Sequence, residues 1–192
     1  MSVELPLSFP PSPFVREAAG ILQHESLTIL DAGACTGRNS VYMAQLGHRV
    51  VALTSEKSEA LAGAQLVRSM SVEGDCNFVV GDIRRLGLAA VFDVVMANEV
   101  FHMMTKQQSY ASLAELRGLT KPGGVHVVSG YVVSPREANE QNGRHCFRPQ
   151  ELLNNYQDAD WQIVTYQEDP SRVFEHGGRQ RVDSLARIVA IK

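Results

Sequence analysis

The sequence predicts an α/β fold built on a mostly parallel, doubly wound sheet that ends in an antiparallel hairpin. Two observations favour this class. Strand-like and helix-like segments alternate from residue 27 to residue 133 at a spacing typical of a parallel sheet with helices on both faces. The last third of the chain is different, because two strand-like segments follow one another there without a helix between them.

The first half of the chain supplies five predicted elements. A helix begins at Phe14, because Val15, Ala18 and Leu22 recur at helical spacing. The continuous apolar run "LTILDA" is typical of a strand covered on both faces. "GRNSVYMAQLG" predicts a helix that ends at Gly47, a favourable C-cap residue. "HRVVALT" predicts the next strand, and the apolar spacing within "SEALAGAQLVRSM" predicts the next helix.

The second half continues the alternation and then changes character. "NFVVGD" and "VFDVVMAN" predict two strands, and "QSYASLAELRGL" predicts a helix closed by a turn at residues 121–124. "VHVVSGYVV" predicts another strand, and "FRPQELLNNY" predicts a short helix with Pro149 in its first turn. "WQIVTYQED" and "VDSLARIVAIK" predict an antiparallel hairpin at the sheet edge, with "PSRVFEHGGRQR" as its loop.

Length and composition restrict the class of protein. We expect one domain over residues 1–192, with residues 1–13 as an extended N-terminal segment rich in proline. A formal net charge of −3 gives no basic field for nucleic acid or acidic lipid. The three cysteines are widely spaced and form no C-x-x-C pair, so neither a disulfide framework nor a metal site is expected. With no signal peptide and no long apolar span, a soluble cytoplasmic protein is predicted.

Small and polar residues follow the predicted strands, where ligands bind in open parallel sheets. Each of these residues alone is a weak signal, since glycine turns and helix caps are common. Together, in this order, they describe a nucleoside ligand that lies across the sheet. The residues that follow the first four strands are Asp31, Gly33 and Gly37; Thr54, Ser55 and Glu56; Gly81, Asp82 and Ile83; and Asn98 and Glu99.

The first loop distinguishes between nucleoside cofactors. A dinucleotide site needs G-x-G-x-x-G with the helix start on a pyrophosphate, whereas the loop here is "GACTG". A nicotinamide-dependent oxidoreductase, which would bind NADH, is therefore disfavoured. The loop fits D-x-G-x-G-x-G better, with Cys35 in place of the middle glycine.

That pattern resembles the first motif of the class I S-adenosylmethionine-dependent methyltransferases. "ILDAGACTGRNSVYMAQLGHRVVAL", "FVVGDI", "FDVVMANEVFHMM", "LTKPGGVHVVSG" and "FRPQELLNNYQDADWQIVTYQED" follow one another as in small bacterial enzymes of this class. The chain is most similar to the tellurite-resistance methyltransferase group, over Pro11 to Lys192. The resemblance implies a Rossmann-like methyltransferase fold and methyl transfer from S-adenosylmethionine to a small soluble nucleophile, such as a chalcogen oxyanion or a thiol.

The resemblance also implies roles for individual residues. The first loop and the helix start would hold the methionine end of the cofactor. The end of the second strand would hold the ribose, and the end of the third strand would hold the adenine. The Asn98 carbonyl would contact the cofactor's amino group. His176 and Arg181, which flank the last hairpin turn, would face the substrate together with His102. The expected cofactor-binding residues are Asp31, Gly33, Ala34, Cys35, Gly37, Arg38, Asn39, Thr54, Glu56, Asp82, Ile83 and Asn98.

Two departures from the family pattern leave an alternative open. The family usually carries an acid at the end of the second strand, where this chain has Thr54, with Glu56 as the other ribose ligand available. Cys35 is strained if its position needs φ > 0, at a cost of about 1–2 kcal/mol. The alternative is a cofactor-binding module of the same fold that lacks transfer activity. His102 has a simpler alternative as well, as a packing residue at a helix start.

The expected partner is a small molecule, and binding to nucleic acid or to a membrane is not expected. The protein is expected to be a monomer or a homodimer.

Overall fold

The computed structural model describes residues 10–22, 26–87, 89–133, 145–176 and 179–192, with the backbone alone for residues 170–183. It therefore covers only the last part of the extended segment expected at residues 1–13. Within the described residues, no helix has both the length and the apolar character that crossing a membrane requires. The strands are β1 Thr28–Ala32, β2 Arg49–Thr54, β3 Cys76–Val80, β4 Phe92–Asn98, β5 Thr120–Val132, β6 Gln162–His176 and β7 Arg179–Ile191. The helices are α1 Pro13–Ile21, α2 Arg38–Gln45, α3 Lys57–Ser69, α4 Lys106–Gly118 and α5 Glu151–Gln157, with a 3₁₀ turn at Phe101–Met103.

The sheet has the predicted mixed architecture. Its strand order is β3-β2-β1-β4-β5-β7-β6, in which β1 to β5 are parallel, while β7 is antiparallel to both β5 and β6. Ile29 of β1 pairs with Val50 of β2 on one side and with Val94 of β4 on the other. The strand order therefore reverses at β1, and the carboxyl ends of β1 and β4 flank the topological switch point.

The sheet has a hydrophobic core on each face. Ile29 and Leu30 of β1 are both fully buried, but they point to opposite faces and belong to different cores. Apolar side chains of α1, α2 and α3 pack with Ile29, whereas those of α4 and α5 pack with Leu30. Burial on both faces explains why β1 and β4 read as largely continuous apolar runs.

Two predicted boundaries are wrong. The turn expected at residues 121–124 lies inside β5, at an irregularity in its pairing with β4: Phe92 pairs with Thr120, but Val94 pairs with Val125. Gly123, with φ of 74°, provides the left-handed backbone conformation at this irregularity. The helix expected to contain Pro149 in its first turn begins two residues later, because Gln150 adopts a left-handed φ of 62°.

The hairpin is longer than predicted. Residues 170–181 were expected to form its loop, but β6 and β7 stay paired up to His176 and Arg179. This segment contains Pro170, which cannot donate a ladder hydrogen bond. The ladder accommodates this segment by a register shift between Asp169 and Arg172, where β6 carries one residue more than β7.

A buried polar network joins β5 to α4 and α5. Thr120 Oγ1 donates to the Leu116 carbonyl at 2.9 Å, so its contact of 2.7 Å with His126 Nε2 requires a proton on that nitrogen. His126 Nδ1 then accepts from the Tyr156 hydroxyl at 2.7 Å. Burial, followed by the Arg117 charge, lowers the pKa of His126 to about 3. The imidazole is therefore neutral, and its tautomer is set by Thr120 and Tyr156.

We predict that Tyr156→Phe lowers the free energy of unfolding by about 1–3 kcal/mol, because it leaves a buried imidazole acceptor without its donor. Urea unfolding should show a lower midpoint with an unchanged m-value. Tyr42→Phe is the matched control, because the Tyr42 side chain is only half-buried and lies outside this network. Equal losses in the two variants would contradict the role given to the His126 network.

Candidate active site

A cavity of about 470 Å³ opens at the carboxyl ends of β1, β2, β3 and β4. Its volume lies within the range of roughly 300–1,000 Å³ that is typical of small-molecule sites. Its walls come from the last residues of β2 and β4, from the segments that follow the four strands and from the start of α3. The lining residues are Gly33, Cys35, Leu53, Thr54, Ser55, Glu56, Glu59, Gly81, Asp82, Ile83, Arg84, Asn98, Glu99, Val100, His102, Met103 and Met104.

The structure brings together seven of the twelve predicted cofactor residues in the cavity lining, and the other five do not line it. The seven that line the cavity are Gly33, Cys35, Thr54, Glu56, Asp82, Ile83 and Asn98; the five that do not are Asp31, Ala34, Gly37, Arg38 and Asn39. Asn39 has a structural contact instead, since its Oδ1 accepts from the Ser12 backbone N–H at 2.9 Å. Three charged residues that the prediction omitted also line the cavity, namely Glu59, Arg84 and Glu99.

The loop after β1 is fixed by its own backbone. The N–H groups of Gly33 and Ala34 both donate to the Leu53 carbonyl, at 2.9 and 2.8 Å. Gly33 and Gly37 have φ of 89° and 87°. A Cβ on Gly33 would lie 2.7 Å from Val100 Cγ2, and one on Gly37 would lie 2.3 Å from Phe78 Cζ. These glycines are therefore required by the protein's own packing as well as by backbone conformation.

Cys35 has the left-handed backbone that the sequence pattern suggested. Its φ is 49°, and the residue is exposed. Partial burial of the thiol raises the pKa of Cys35, with further contributions from the Glu59 and Asp31 carboxylates. A raised pKa keeps the sulfur protonated, so Cys35 has no feature of an activated nucleophile.

Asp31 lies beneath the loop, at the end of β1. It is only 2% exposed, and its Oδ2 accepts from the Ser40 hydroxyl at 2.6 Å. Burial raises the pKa of Asp31 to about 6, although the Ser40 hydrogen bond and the Arg38 charge act in the opposite direction. The protein therefore holds a carboxyl group behind the loop that changes its protonation near neutral pH.

The end of β2 carries a carboxylate supplied by α3. Thr54 is 3% exposed, and its hydroxyl donates to Glu59 Oε2. The backbone N–H of Glu56 donates to Thr54 Oγ1 at 3.3 Å, which fixes Glu56 at the N-cap of α3. The sequence signal for Glu59 is its place in the first turn of the helix that follows the strand, where side chains reach back toward the helix start.

The end of β3 carries an ion pair. Arg84 Nε donates to Asp82 Oδ1 at 2.9 Å, and a terminal guanidinium nitrogen donates to Oδ2 at 2.7 Å. The backbone N–H of Arg84 adds a third bond to Oδ1, at 2.9 Å. The hydrogen bonds from Arg84 hold the pKa of Asp82 below its ordinary value. A ligand donor that binds Asp82 must therefore share this carboxylate with Arg84.

The end of β4 combines an amide, a carboxylate and two rings. Ser129 Oγ donates to Asn98 Oδ1 at 3.1 Å, and Asn98 Nδ2 is buried without a hydrogen-bond partner in the described part of the chain. Glu99 has φ of 54°, and its Oε2 accepts from the Tyr131 hydroxyl at 3.0 Å. The His102 ring lies edge-on to the Tyr131 ring, with the ring centroids 4.9 Å apart.

The side chains of two predicted substrate-facing residues, His176 and Arg181, lie outside the described part of the structure. Their backbones belong to β6 and β7, where Phe174 pairs with Arg181 and His176 pairs with Arg179. The third predicted residue, His102, lines the cavity. The substrate-facing roles of all three residues stay predictions.

Known proteins share this fold. The crystal structure of TehB from Haemophilus influenzae has a TM-score of 0.80 at 19% identity, over 93% of this chain and 61% of that chain. The 1,6-didemethyltoxoflavin-N1-methyltransferase of Burkholderia thailandensis, crystallised with S-adenosylhomocysteine, has a TM-score of 0.69 at 23% identity, over 94% and 78% of the two chains. These likenesses confirm the predicted fold class.

Sequence comparisons give the family. The cypemycin N-terminal methyltransferase of a Streptomyces species is 32% identical over 120 residues, which cover 59% of this chain and 46% of that protein. The model of a family described as "Methyltransferase domain" matches residues 30–128. Because this match spans more than half of the 192 residues, the chain belongs to the methyltransferase domain family, which confirms the class I S-adenosylmethionine-dependent methyltransferase predicted from its sequence.

Proposed function

We propose that this protein transfers a methyl group from S-adenosylmethionine to a small soluble nucleophile. One observation carries the proposal: every residue that lines the cavity, from Gly33 to Met104, falls within residues 30–128, the segment that matches the methyltransferase domain. The family match and the cavity at the strand ends therefore fall on the same segment of the chain. We further propose that it acts in the cytoplasm of a bacterium, as a monomer or homodimer.

The residues present fit this cofactor. Asp82 offers a carboxylate for an adenine amino group, and Asp31 lies behind the Gly33 loop, where the charge of its buried carboxyl would favour an ammonium group. Gly81 and Gly33 keep two sides of the cavity free of side chains, and the unpartnered Nδ2 of Asn98 supplies a buried donor. The set combines acceptors for both ends of a cationic nucleoside with the room that it needs.

The strand order gives the direction in which the cofactor would lie. Asp82 and Ile83 follow β3 and would receive the adenine, while Thr54 and Glu59 at β2 would receive the ribose. The loop at Gly33, which follows β1, would receive the methionine end. Since β4 comes next in the sheet, its end would face the acceptor.

The bound cofactor supplies an electrophilic methyl group on a sulfonium centre. The protein's task is to bind the cofactor and the acceptor, to orient the acceptor in line with the methyl carbon, and to exclude water. His102, which lines the cavity after β4, and the hairpin residues His176 and Arg181 are the proposed substrate-facing groups. A chalcogen oxyanion, a thiol or a related metabolite would suit them, and the name of the Streptomyces relative adds an amino group to the candidates.

Calorimetry combined with a turnover assay tests the proposal. We expect S-adenosylmethionine to bind with micromolar or better affinity and S-adenosylhomocysteine to form with at least one acceptor from a panel of thiols, amines, selenite and tellurite. Binding without turnover on any acceptor would favour the alternative, a cofactor-binding module without transfer activity. No measurable binding would refute both.

We predict that Asp82→Ala weakens S-adenosylmethionine binding about 10- to 100-fold, because a hydrogen bond to a charged group contributes roughly 1.5–3 kcal/mol. Arg84→Ala is the matched control, since it removes the other half of the ion pair but leaves the carboxylate. Calorimetry should give a loss of less than about fivefold for Arg84→Ala. Equal losses in both variants would mean that the ion pair orders the loop and that Asp82 does not bind adenine.

We predict that Glu59→Gln weakens cofactor binding more than Glu56→Gln does. Glu59 is bonded to the buried Thr54 hydroxyl, whereas Glu56 is exposed at the helix N-cap. Replacing a charged hydrogen-bond acceptor by a neutral one corresponds to about a tenfold loss of affinity for the cofactor. Titration of both variants with S-adenosylmethionine and with S-adenosylhomocysteine measures this difference. The reverse ranking would make Glu56 the ribose ligand.

We predict that the affinity for S-adenosylmethionine increases with pH between 5 and 7.5. An ammonium group needs the ionised form of Asp31, whose pKa is raised to about 6, so only about a tenth of the free protein is competent at pH 5. The expected loss at pH 5 is therefore about tenfold, with a proton released on binding that makes the calorimetric enthalpy depend on the buffer.

Asp31→Asn is the control for this pH dependence. It should bind the cofactor weakly at every pH and should lose the buffer-dependent enthalpy. The raised pKa also means that Asp31 stabilises the ligand-free fold below about pH 4 and that this contribution is lost as the pH rises through 6. The urea midpoint of the ligand-free protein should therefore fall as the pH rises from about 4 through 6, and Asp31→Asn should remove this fall. If the cofactor affinity of the variant and of the natural protein changed with pH in parallel, the role proposed for Asp31 would be contradicted.

A further inference from the structure

The segment after β4 forms the end of the cavity that the proposed cofactor leaves open. In the sheet order β3-β2-β1-β4, the β4 end lies three strand spacings from the β3 end, or about 14 Å. Asp82 lies at one end of the cavity, and Glu99 and His102 lie at the other. A ligand that extends from β3 to β1 therefore places its methionine end next to Glu99.

Glu99 is held in a fixed position at this end. Its backbone N–H donates to the Ser129 carbonyl at 3.0 Å, and its left-handed φ of 54° turns the side chain away from the direction that a continuing strand would give. The Tyr131 hydroxyl donates to Oε2 at 3.0 Å. Among the described contacts none uses Oε1, so the carboxylate is fixed through one oxygen and presents the other as an acceptor.

The charge of the cavity selects between classes of acceptor. Its described lining includes the carboxylates of Glu56, Glu59, Asp82 and Glu99, and a single guanidinium, that of Arg84. Arg84 is already paired with Asp82. Among the described lining residues, an anionic acceptor next to Glu99 would meet carboxylates and no unpaired cation, whereas a group that donates hydrogen bonds would meet a fixed acceptor.

From these contacts, and on the basis of the function proposed above, we infer that the acceptor is a primary or secondary amine whose N–H donates to Glu99, with Tyr131 as the positioning residue for that carboxylate. The neutral amine nitrogen uses its lone pair to form the new N–CH₃ bond. The electron pair of the breaking C–S bond goes to sulfur, which loses its positive charge. The methylated nitrogen gains that charge and releases its proton to Glu99, from which it passes to solvent.

Steady-state assays and calorimetry on the full chain test this inference. The probes are glycinamide, alanylalanine and phenethylamine, compared with 2-mercaptoethanol, selenite and tellurite at saturating S-adenosylmethionine. We expect methylated product from at least one amine. Glu99→Gln should lower kcat/KM for that amine at least tenfold, with a clearly smaller loss of affinity for S-adenosylmethionine. Glu73→Gln, an exposed carboxylate outside the cavity, is the matched control and should behave as the natural protein does.

A second variant and a binding readout separate positioning from folding. Tyr131→Phe should raise the KM for the amine several-fold with a smaller effect on kcat, because Glu99 keeps its charge and loses its fixed orientation. Titration of the amine into the complex with S-adenosylhomocysteine should show binding that Glu99→Gln abolishes. This readout does not depend on turnover.

The outcomes distinguish this inference from the function on which it rests. Tight S-adenosylmethionine binding with turnover only on thiols or oxyanions, or with no amine methylated, would overturn the amine assignment and leave cofactor use intact. A loss of cofactor affinity in Glu99→Gln equal to its loss of turnover would place Glu99 on the cofactor and overturn its role. Absence of cofactor binding in the natural protein would refute the proposed function itself.

Discussion

The backbone carbonyl of Leu53 holds the loop on which the whole cavity depends. It lies in β2 and accepts both the Gly33 and the Ala34 N–H groups, so it ties the loop that leaves β1 to the neighbouring strand. With the loop fixed there, Val100 packs against Gly33 from the β4 side, and Phe78 packs against Gly37 from the β3 side. The ends of four strands are thereby held in one geometry by backbone and apolar contacts, before any ligand binds.

The same contacts explain why the loop tolerates Cys35 in place of glycine. At Gly33 and Gly37 a side chain would collide with Val100 or Phe78, so packing as well as backbone conformation disfavours other residues at those positions. Cys35 is an exposed residue that lines the cavity, and its left-handed backbone costs about 1–2 kcal/mol. A cost of this size is small beside the roughly 8 kcal/mol of a micromolar site.

Chain order made the fold and much of the site predictable, because the carboxyl ends of parallel strands meet at one edge of the sheet. That rule alone brought Gly33, Thr54, Asp82 and Asn98 into one cavity. The rule alone did not assign Glu59 and Glu99, whose positions in the cavity depend on local backbone geometry. Glu59 reaches Thr54 because of where α3 begins, and Glu99 turns into the cavity because of its positive φ. For Glu59 the sequence signal is only its place in the first turn of α3, and for Glu99 it is only its place after β4, since the sequence does not show its left-handed φ. The hairpin was underestimated for a related reason: a bulge lets the ladder pass Pro170, which composition alone marks as a loop.

The carboxylate-rich lining has a consequence for the catalytic cycle under the proposed function. Methyl transfer removes the positive charge at sulfur, so the spent cofactor is one charge less positive than the fresh one. Among the described lining residues, carboxylates outnumber the single guanidinium, and their field attracts the charged form more strongly than the neutral one. Under the proposed function the site thus favours exchange of the spent cofactor for a fresh one, and the charge of the described lining weakens inhibition by the spent cofactor.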